Sequence, residues 1–415
     1  MDYDNLIDDD GIYLYKDDSL NTIYINLIFR RDRGNKNDAI YNILQDYLLE
    51  TNKIYKNVDK IREVENDCYS MDMDMYNCYY GESALMYVSI DLVSAQVLGN
   101  DYLDKAFLFI RNILLKPDFT KEDMLEKIKR RYLAKCRQSL FDSSILAERK
   151  YKEEIYAGGR KTFKFSTDYK HIERMINSVT LSDLEKAYRK SIIEGGFYKG
   201  FVYGNITDEE FERFRYYIPF VNKDDEKIEC TSVPCFNKDI IEIPNKDSKE
   251  SIIYITYSID GIDKALYNVL FDIMNVSGNL CLEILRNKHN LVYSSSATIG
   301  YSRNTIIFKA EVDKKNIDKL ISAVDEVVEC LKDKEKVKEF LVQTRESIKN
   351  DNYTLSENRT LMIDNINDYV TGIFNRFNEN DFANNIDKYN EEDIVNKTKT
   401  LKRRNIFIYR GDDDE

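Results

Sequence analysis

Apolar and polar positions along this chain form one pattern that is written twice. Asn21-Thr-Ile-Tyr-Ile-Asn-Leu-Ile-Phe29 is rich in β-branched and aromatic residues and predicts a strand. A polar loop follows. From about Ala39 to Leu49 apolar residues recur at three- and four-residue steps, the period of a helix with one buried face. In the second half, Ser251-Ile-Ile-Tyr-Ile-Thr-Tyr-Ser-Ile259 and the stretch from about Ala265 to Met274 repeat that strand and helix. Further strands are predicted at Leu85–Ile90 and Ile306–Val312, and helices start near Leu103 and Ile317. Long charged helical stretches run from Lys121 to Leu140 and from Lys334 to Asn350. Both copies end alike. Thr180-Leu-Ser-Asp183 and Asn390-Glu-Glu-Asp393 place an acidic residue three positions after a helix-capping side chain. A strand ending in glycine then closes each copy, at Gly204 and at Gly411.

This order predicts an α+β protein of two tandem homologous domains. Each is expected to be a mostly antiparallel sheet with helices packed on one face, and the other face is expected to line a chamber. A repeat of about 200 residues means duplicated domains rather than a solenoid, and 415 residues is ample for two cores. The first domain is expected to span residues 1–207, a linker 208–249, and the second domain 250–415. The linker holds Pro234 and Pro244, two of the chain's four prolines, and many charges.

Charge and composition narrow the partners. A net charge of −13 argues against nucleic acid, which needs a basic footprint, and leaves a basic peptide open. No apolar run reaches the ~18–20 residues of a membrane span. The acidic start Met1-Asp2-Tyr3-Asp4 is unlike a secretory signal, so a cytoplasmic location is expected. The seven cysteines contain no Cys-x-x-Cys pair and read as reduced thiols. Met71-Asp-Met-Asp-Met75 alternates with period two and suits a strand with one apolar face.

One repeated stretch carries more than pattern. Arg62-Glu-Val-Glu-Asn-Asp-Cys-Tyr69-Ser70 answers Arg286-Asn-Lys-His-Asn-Leu-Val-Tyr293-Ser294, with Arg, Asn, Tyr and Ser at the same offsets. The second copy is preceded by Ser277-Gly-Asn-Leu-Cys-Leu-Glu-Ile-Leu. This stretch, the duplicated pattern and Val202-Tyr-Gly-Asn-Ile206 together resemble the pitrilysin/insulinase family of zinc peptidases over nearly the whole chain. In that family a Gly/Ser turn leads to a helix ending in Arg-Glu-Lys and then to Tyr-Ser. Arg286 and Tyr293 fall on the family's Arg and Tyr, with Asn287 where Glu is usual.

The resemblance also shows what is missing. Active members carry H-x-x-E-H on the first helix. Positions i and i+4 lie on one helix face, so two imidazoles bind one zinc while the intervening Glu acts as base on the zinc-bound water. Here Asn42 stands at the first ligand, Gln45 at the base and Asp46 at the second ligand. The third ligand would fall near Lys127, with Glu126 beside it. The two histidines, His171 and His289, lie elsewhere. Two readings of the helix stay open: an ordinary polar face, or an unconventional metal site of Asp46 and Glu126.

The resemblance implies a catalytically inactive subunit of a two-chain peptidase that binds no cofactor itself. Zinc is expected on a paralogous partner, and the substrate is expected to be a peptide held by Arg286 and Tyr293 through donors to its carbonyls. Arg62 and Tyr69 share the spacing, so the pair could instead belong to the fold alone. A second reading is a structural or peptide-binding protein with no peptidase partner. A third is an enzyme with novel chemistry in the chamber.

Overall fold

The computed structural model describes residues 6–80, 83–99, 102–157, 162–222, 228, 234–245, 248–261, 264–276, 280–292, 295–300, 304–355, 358–372 and 386–412. The first half runs β1 (Ile7–Asp9), β2 (Ile12–Lys16), β3 (Thr22–Arg30), α1 (Asn35–Glu50), α2 (Val58–Asp67), β4 (Asp72–Tyr80), β5 (Ser83–Val93), α3 (Ala95–Leu98), α4 (Leu103–Leu115), α5 (Glu122–Ser139), α6 (Ser143–Ala157), α7 (Tyr169–Asn177), α8 (Leu181–Tyr188), β6 (Phe197–Gly204) and α9 (Asp208–Tyr217). The second half runs β7 (Ile240–Asn245), β8 (Glu250–Ser258), α10 (Lys264–Asn275), α11 (Leu280–Leu282) with a π turn at Glu283–Lys288, β9 (Ser295–Gly300), β10 (Thr305–Asp313), α12 (Ile317–Cys330), α13 (Lys334–Leu355), α14 (Arg359–Thr371), α15 (Glu391–Thr398) and β11 (Lys402–Gly411).

Each half builds one mostly antiparallel sheet. The orders are β1-β2-β6-β3-β5-β4 and β7-β11-β8-β10-β9. Among the described residues only β2–β6 and β7–β11 pair in parallel, at equivalent places in the two sheets. Both anticipated helix starts are closed capping boxes, Thr180 with Asp183 and Asn390 with Asp393. The closing glycines have a steric cause. At Gly204, where φ is +135°, a Cβ would lie 2.1 Å from the Thr22 carbonyl oxygen, and at Gly411 one would lie 2.4 Å from that of Lys249.

The stretch 208–249, expected to be linker, carries structure from both sides. Thr207 and Glu210 form a capping box that starts α9, and Phe211 and Phe214 pack into the first core. β7 contains Pro244 and pairs only with β11, an edge position where a missing N–H costs no ladder bond. The proline marked an edge strand rather than the end of a domain.

The two faces of each sheet differ. On β3, Ile23, Ile25, Leu27 and Phe29 point into the core formed with the half's own helices, and on β8 Ile253, Ile255 and Tyr257 do the same. The opposite faces were expected to line an open chamber, but each is partly covered by a helix from the other half. From α6, Ala147, Tyr151 and Ile155 pack on Ile252, Tyr254, Phe407 and Tyr409 of the second sheet. From α14, Met362, Ile366 and Val370 pack on Phe201 and Tyr203 of the first. In both helices the contact residues are spaced by four, one stripe of a helix. Tyr151 stacks on Tyr254 at 4.5 Å between centroids and shares a 2.7 Å hydrogen bond with Thr256 Oγ1. Tyr198 donates to the Thr371 carbonyl at 2.8 Å, and Arg359 pairs with Asp91. The first sheet's outer face is rich in tyrosine, which lets it bury apolar rings while the hydroxyls find polar partners.

Candidate functional site

Helix α1 carries the three positions of the altered metal motif. Its apolar stripe, including Ile40, Ile43, Leu44, Tyr47 and Leu48, is buried in the first core. Asn42, Gln45 and Asp46 are each half-buried on the rest of the helix. All three have protein partners. The Asn42 amide donates to the Asp38 carbonyl at 2.6 Å. Gln45 Oε1 accepts from the Asn77 amide on β4. Asp46 accepts from Arg131 Nη2 at 2.9 Å, and the same guanidinium binds Glu50. Glu126 does not join Asp46; it pairs with Lys129 on its own helix at 2.8 Å. Lys127 lies 4.0 Å from Glu50.

This donor set does not fit zinc. Its one carboxylate from the motif already faces a guanidinium, and a second cation there would be repelled. Asn42 replaces the first imidazole and Gln45 the base, and both amides are engaged. Among the described residues, no three His, Cys, Asp or Glu side chains group closely enough to hold a metal ion. The sequence did not single out Arg131; its charge three turns into a helix with many lysines gave no signal.

The acids around this helix feel one another. Partial desolvation at the base of an otherwise exposed side chain, followed by Asp72 and Asp46, raises the Asp74 carboxyl above its ordinary range. Burial and Asp72 likewise raise Glu65, while Arg62 lowers it. Arg62 thus lies on a regular helix beside an acid of its own half.

Beside Asn42 opens a cavity of about 130 Å³. Its polar lining is Asn42, Tyr79 of β4, Tyr132 and Cys136 of α5, Arg149 of α6 and Lys164. Tyr79 is surrounded by cations. Lys164 Nζ lies 3.8 Å from its ring centroid, and the guanidinium carbons of Arg31 and Arg33 lie at 4.5 and 5.7 Å. Arg31 has a fully buried side chain and pairs with Asp38 at 2.8 Å. Burial raises the phenols of Tyr79 and Tyr132 and the thiol of Cys136, so all three are neutral at pH 7.

The second candidate stretch has a different backbone. Arg286 lies exposed on the π turn, and its carbonyl accepts from the Asn290 N–H at 2.8 Å. Asn290 takes a left-handed φ of 50°. Lys288 and His289 both bind Glu326 of α12, His289 through Nε2 at 2.8 Å, and together they hold that carboxyl below its ordinary range. His289 is exposed as expected but acts as an anchor for the turn. Tyr293 and the Ser277-Gly-Asn turn lie outside the described residues. In the first half, Tyr69 and Ser70 both take left-handed φ angles, 57° and 55°, and Tyr69 packs edge-on against Tyr102 at 5.0 Å. His171 is half-buried on α7, away from the π turn in sequence and from any second histidine. The Met71–Met75 alternation holds: the methionines are buried and Asp72 and Asp74 exposed.

No curated protein matches this chain. Residues 178–344 match the family described as the peptidase M16 inactive domain. Among solved structures, the chain is similar to a conserved protein from Enterococcus faecalis V583 at 16% identity and a TM-score of 0.82, covering 99% of this chain and 100% of that one. It is similar to a peptidase M16 inactive domain from Pseudomonas fluorescens at 18% identity and a TM-score of 0.74, over 98% and 97% of the two chains. The periplasmic protease PqqL from Escherichia coli shares the fold at 11% identity and a TM-score of 0.69, over 97% of this chain but 45% of that one. No helix among the described residues is long and apolar enough to cross a membrane. Residues 178–344 thus resemble the peptidase M16 inactive domain in sequence, and over its whole length the chain shares the fold of the inactive domain from Pseudomonas fluorescens.

Proposed function

We propose that this chain is a non-catalytic half of a two-chain peptidase, offering Arg286, Tyr293 and half of a chamber to a paralogous partner that carries the zinc. The observation that carries the reading is the state of α1: the family's metal positions are filled by Asn42, Gln45 and an Asp46 already paired with Arg131. The share of the Escherichia coli protease that this fold matches, 45%, supports a working unit of twice this length. Arg286 is exposed on a turn fixed to α12 by Glu326, which supports its access to a peptide carbonyl. The described cysteines are all free, which suits a reducing, cytoplasmic setting.

The second reading, a structural or peptide-binding protein without a peptidase partner, draws on the reciprocal helices. Because α6 and α14 partly cover the outer sheet faces, the apolar surface left to a partner is smaller.

Reconstitution separates the two. The purified, tag-free chain is expected to hold no stoichiometric zinc and to cleave no peptide. Mixed with a paralogue bearing H-x-x-E-H, it is expected to form a complex that cleaves peptides and contains one zinc, on the paralogue. One zinc per isolated chain, lost in Asp46→Ala, would sink the proposal. A paralogue fully active without this chain would favour the second reading.

A further inference from the structure

We propose that the cavity beside Asn42 is a receptor for a carboxylate, and that its occupant is the C-terminal carboxylate of a bound peptide. The inference rests on the reading of the chain as a peptide-binding half. Where the motif would gather ligands for a cation, the chain has built a lining suited to an anion. Arg149 and Lys164 bring two positive charges to the cavity, and none of its described lining residues is acidic. Tyr79, Tyr132 and Cys136 are neutral and can donate O–H or S–H. The Asn42 amide nitrogen is already turned to the Asp38 carbonyl.

The surroundings add unsatisfied donors. Arg31 lies over Tyr79 with its side chain sealed from solvent; Asp38 balances its charge through Nη1, while its Nε and Nη2 have no acceptor among the described residues. Arg149 has one hydrogen bond among the described residues, a long one of 3.4 Å to the Ser166 carbonyl, which leaves its planar fork for a carboxylate. The cavity, of about 130 Å³, has room for a small anion. Phe163 and Ile172 supply apolar surface on which the last methylene groups of a peptide can rest. The protein's overall charge of −13 repels anions, so affinity for a carboxylate must come from a local site.

The test is fluorescence anisotropy on the full-length chain with a labelled peptide made twice, with a free C-terminus and with a C-terminal amide. The free acid is expected to bind at least about tenfold more tightly, the factor for one charge-assisted hydrogen bond. That preference should fall to near one in Lys164→Gln and in Arg149→Gln, with thermal midpoints confirming that each variant is folded. If Arg149→Gln does not fold, the half-buried Lys164→Gln carries the test alone. Equal binding of acid and amide overturns the receptor but leaves peptide binding, and so the subunit reading, intact. A preference that survives in Lys164→Gln, or no binding of either peptide, also overturns it. Displacement of the peptide by inorganic phosphate more strongly than by equimolar acetate would overturn the choice of carboxylate. Reconstituted cleavage tests the subunit reading independently of all these results.

Discussion

Two stretches of this molecule share the same spelling and differ in shape. Arg62 to Ser70 and Arg286 to Ser294 carry Arg, Asn, Tyr and Ser at identical offsets. In the first half the arginine lies on a regular α-helix beside Glu65, and the chain leaves through two consecutive left-handed residues. In the second half the helix widens into a π turn at Glu283–Lys288, and Lys288 and His289 clamp it to Glu326. A π turn adds a residue to the turn and so re-aims the side chains that follow it. Equal spacing in the sequence therefore does not give equal placement. Both arginines are exposed, but one copy sets its arginine beside an acid on a regular helix and the other carries it on a clamped π turn.

The strongest way to break this contrast is activity. In a reconstituted two-chain peptidase, Arg286→Ala should lower turnover on the order of 10²–10³, the usual cost of one transition-state donor. Arg62→Ala should leave turnover within about twofold. Equal effects of the two variants, or none from either, would reduce the shared motif to a feature of the fold.

Stability tests the comparison through the crossing helices. Tyr151→Ala on α6 and Ile366→Ala on α14 each remove a buried side chain from the other half's sheet. Denaturant unfolding should show losses of about 3–5 kcal/mol for the aromatic and about 2–5 kcal/mol for the aliphatic residue. Both should shift the unfolding of the whole chain as one transition. Two separated transitions in the wild-type chain would mean that the halves are less joined than their contacts imply.

The smallest effects concern pH. Glu65 has a raised folded pKa, so its ionised form opposes folding at neutral pH, and stability is recovered as pH falls through that pKa towards its unfolded value. Glu326 is lowered, so its contribution is present above its unfolded pKa and is lost as pH falls through the folded one. Glu65→Gln should raise the thermal midpoint at pH 7 and Glu326→Gln should lower it, both within about 0.5 kcal/mol as for surface positions. Parallel shifts in the two variants would show that the two turns do not differ in the electrostatic sense described.

Much of the fold was legible because each half carries complete local signals. Strand β3, helix α1, both capping boxes and both closing glycines follow from side-chain period, side-chain capping and close backbone approach. The crossing of α6 and α14 was not legible, since a stripe spaced by four says that a helix face is buried but not on which sheet. Pro244 misled for a related reason: an edge strand and a linker tolerate proline equally. At the candidate site, the loss of His at positions 42 and 46 could be read directly. Arg131, Arg149 and Lys164 could not, because the charges that reshape the site arrive from α5, α6 and the chain before α7, each far away in sequence.

The exchange of α6 and α14 also sets a clock during synthesis. Tyr151 and its partner Thr256 are 105 residues apart, and Tyr198 and Thr371 are 173 apart. At ribosomal speeds of about 5–20 residues per second, α6 waits on the order of 5–20 s before β8, the strand that carries Thr256, emerges. During that time the stripe of Ala147, Tyr151 and Ile155 has no native cover. The first half therefore cannot complete its native packing until translation has reached the second sheet.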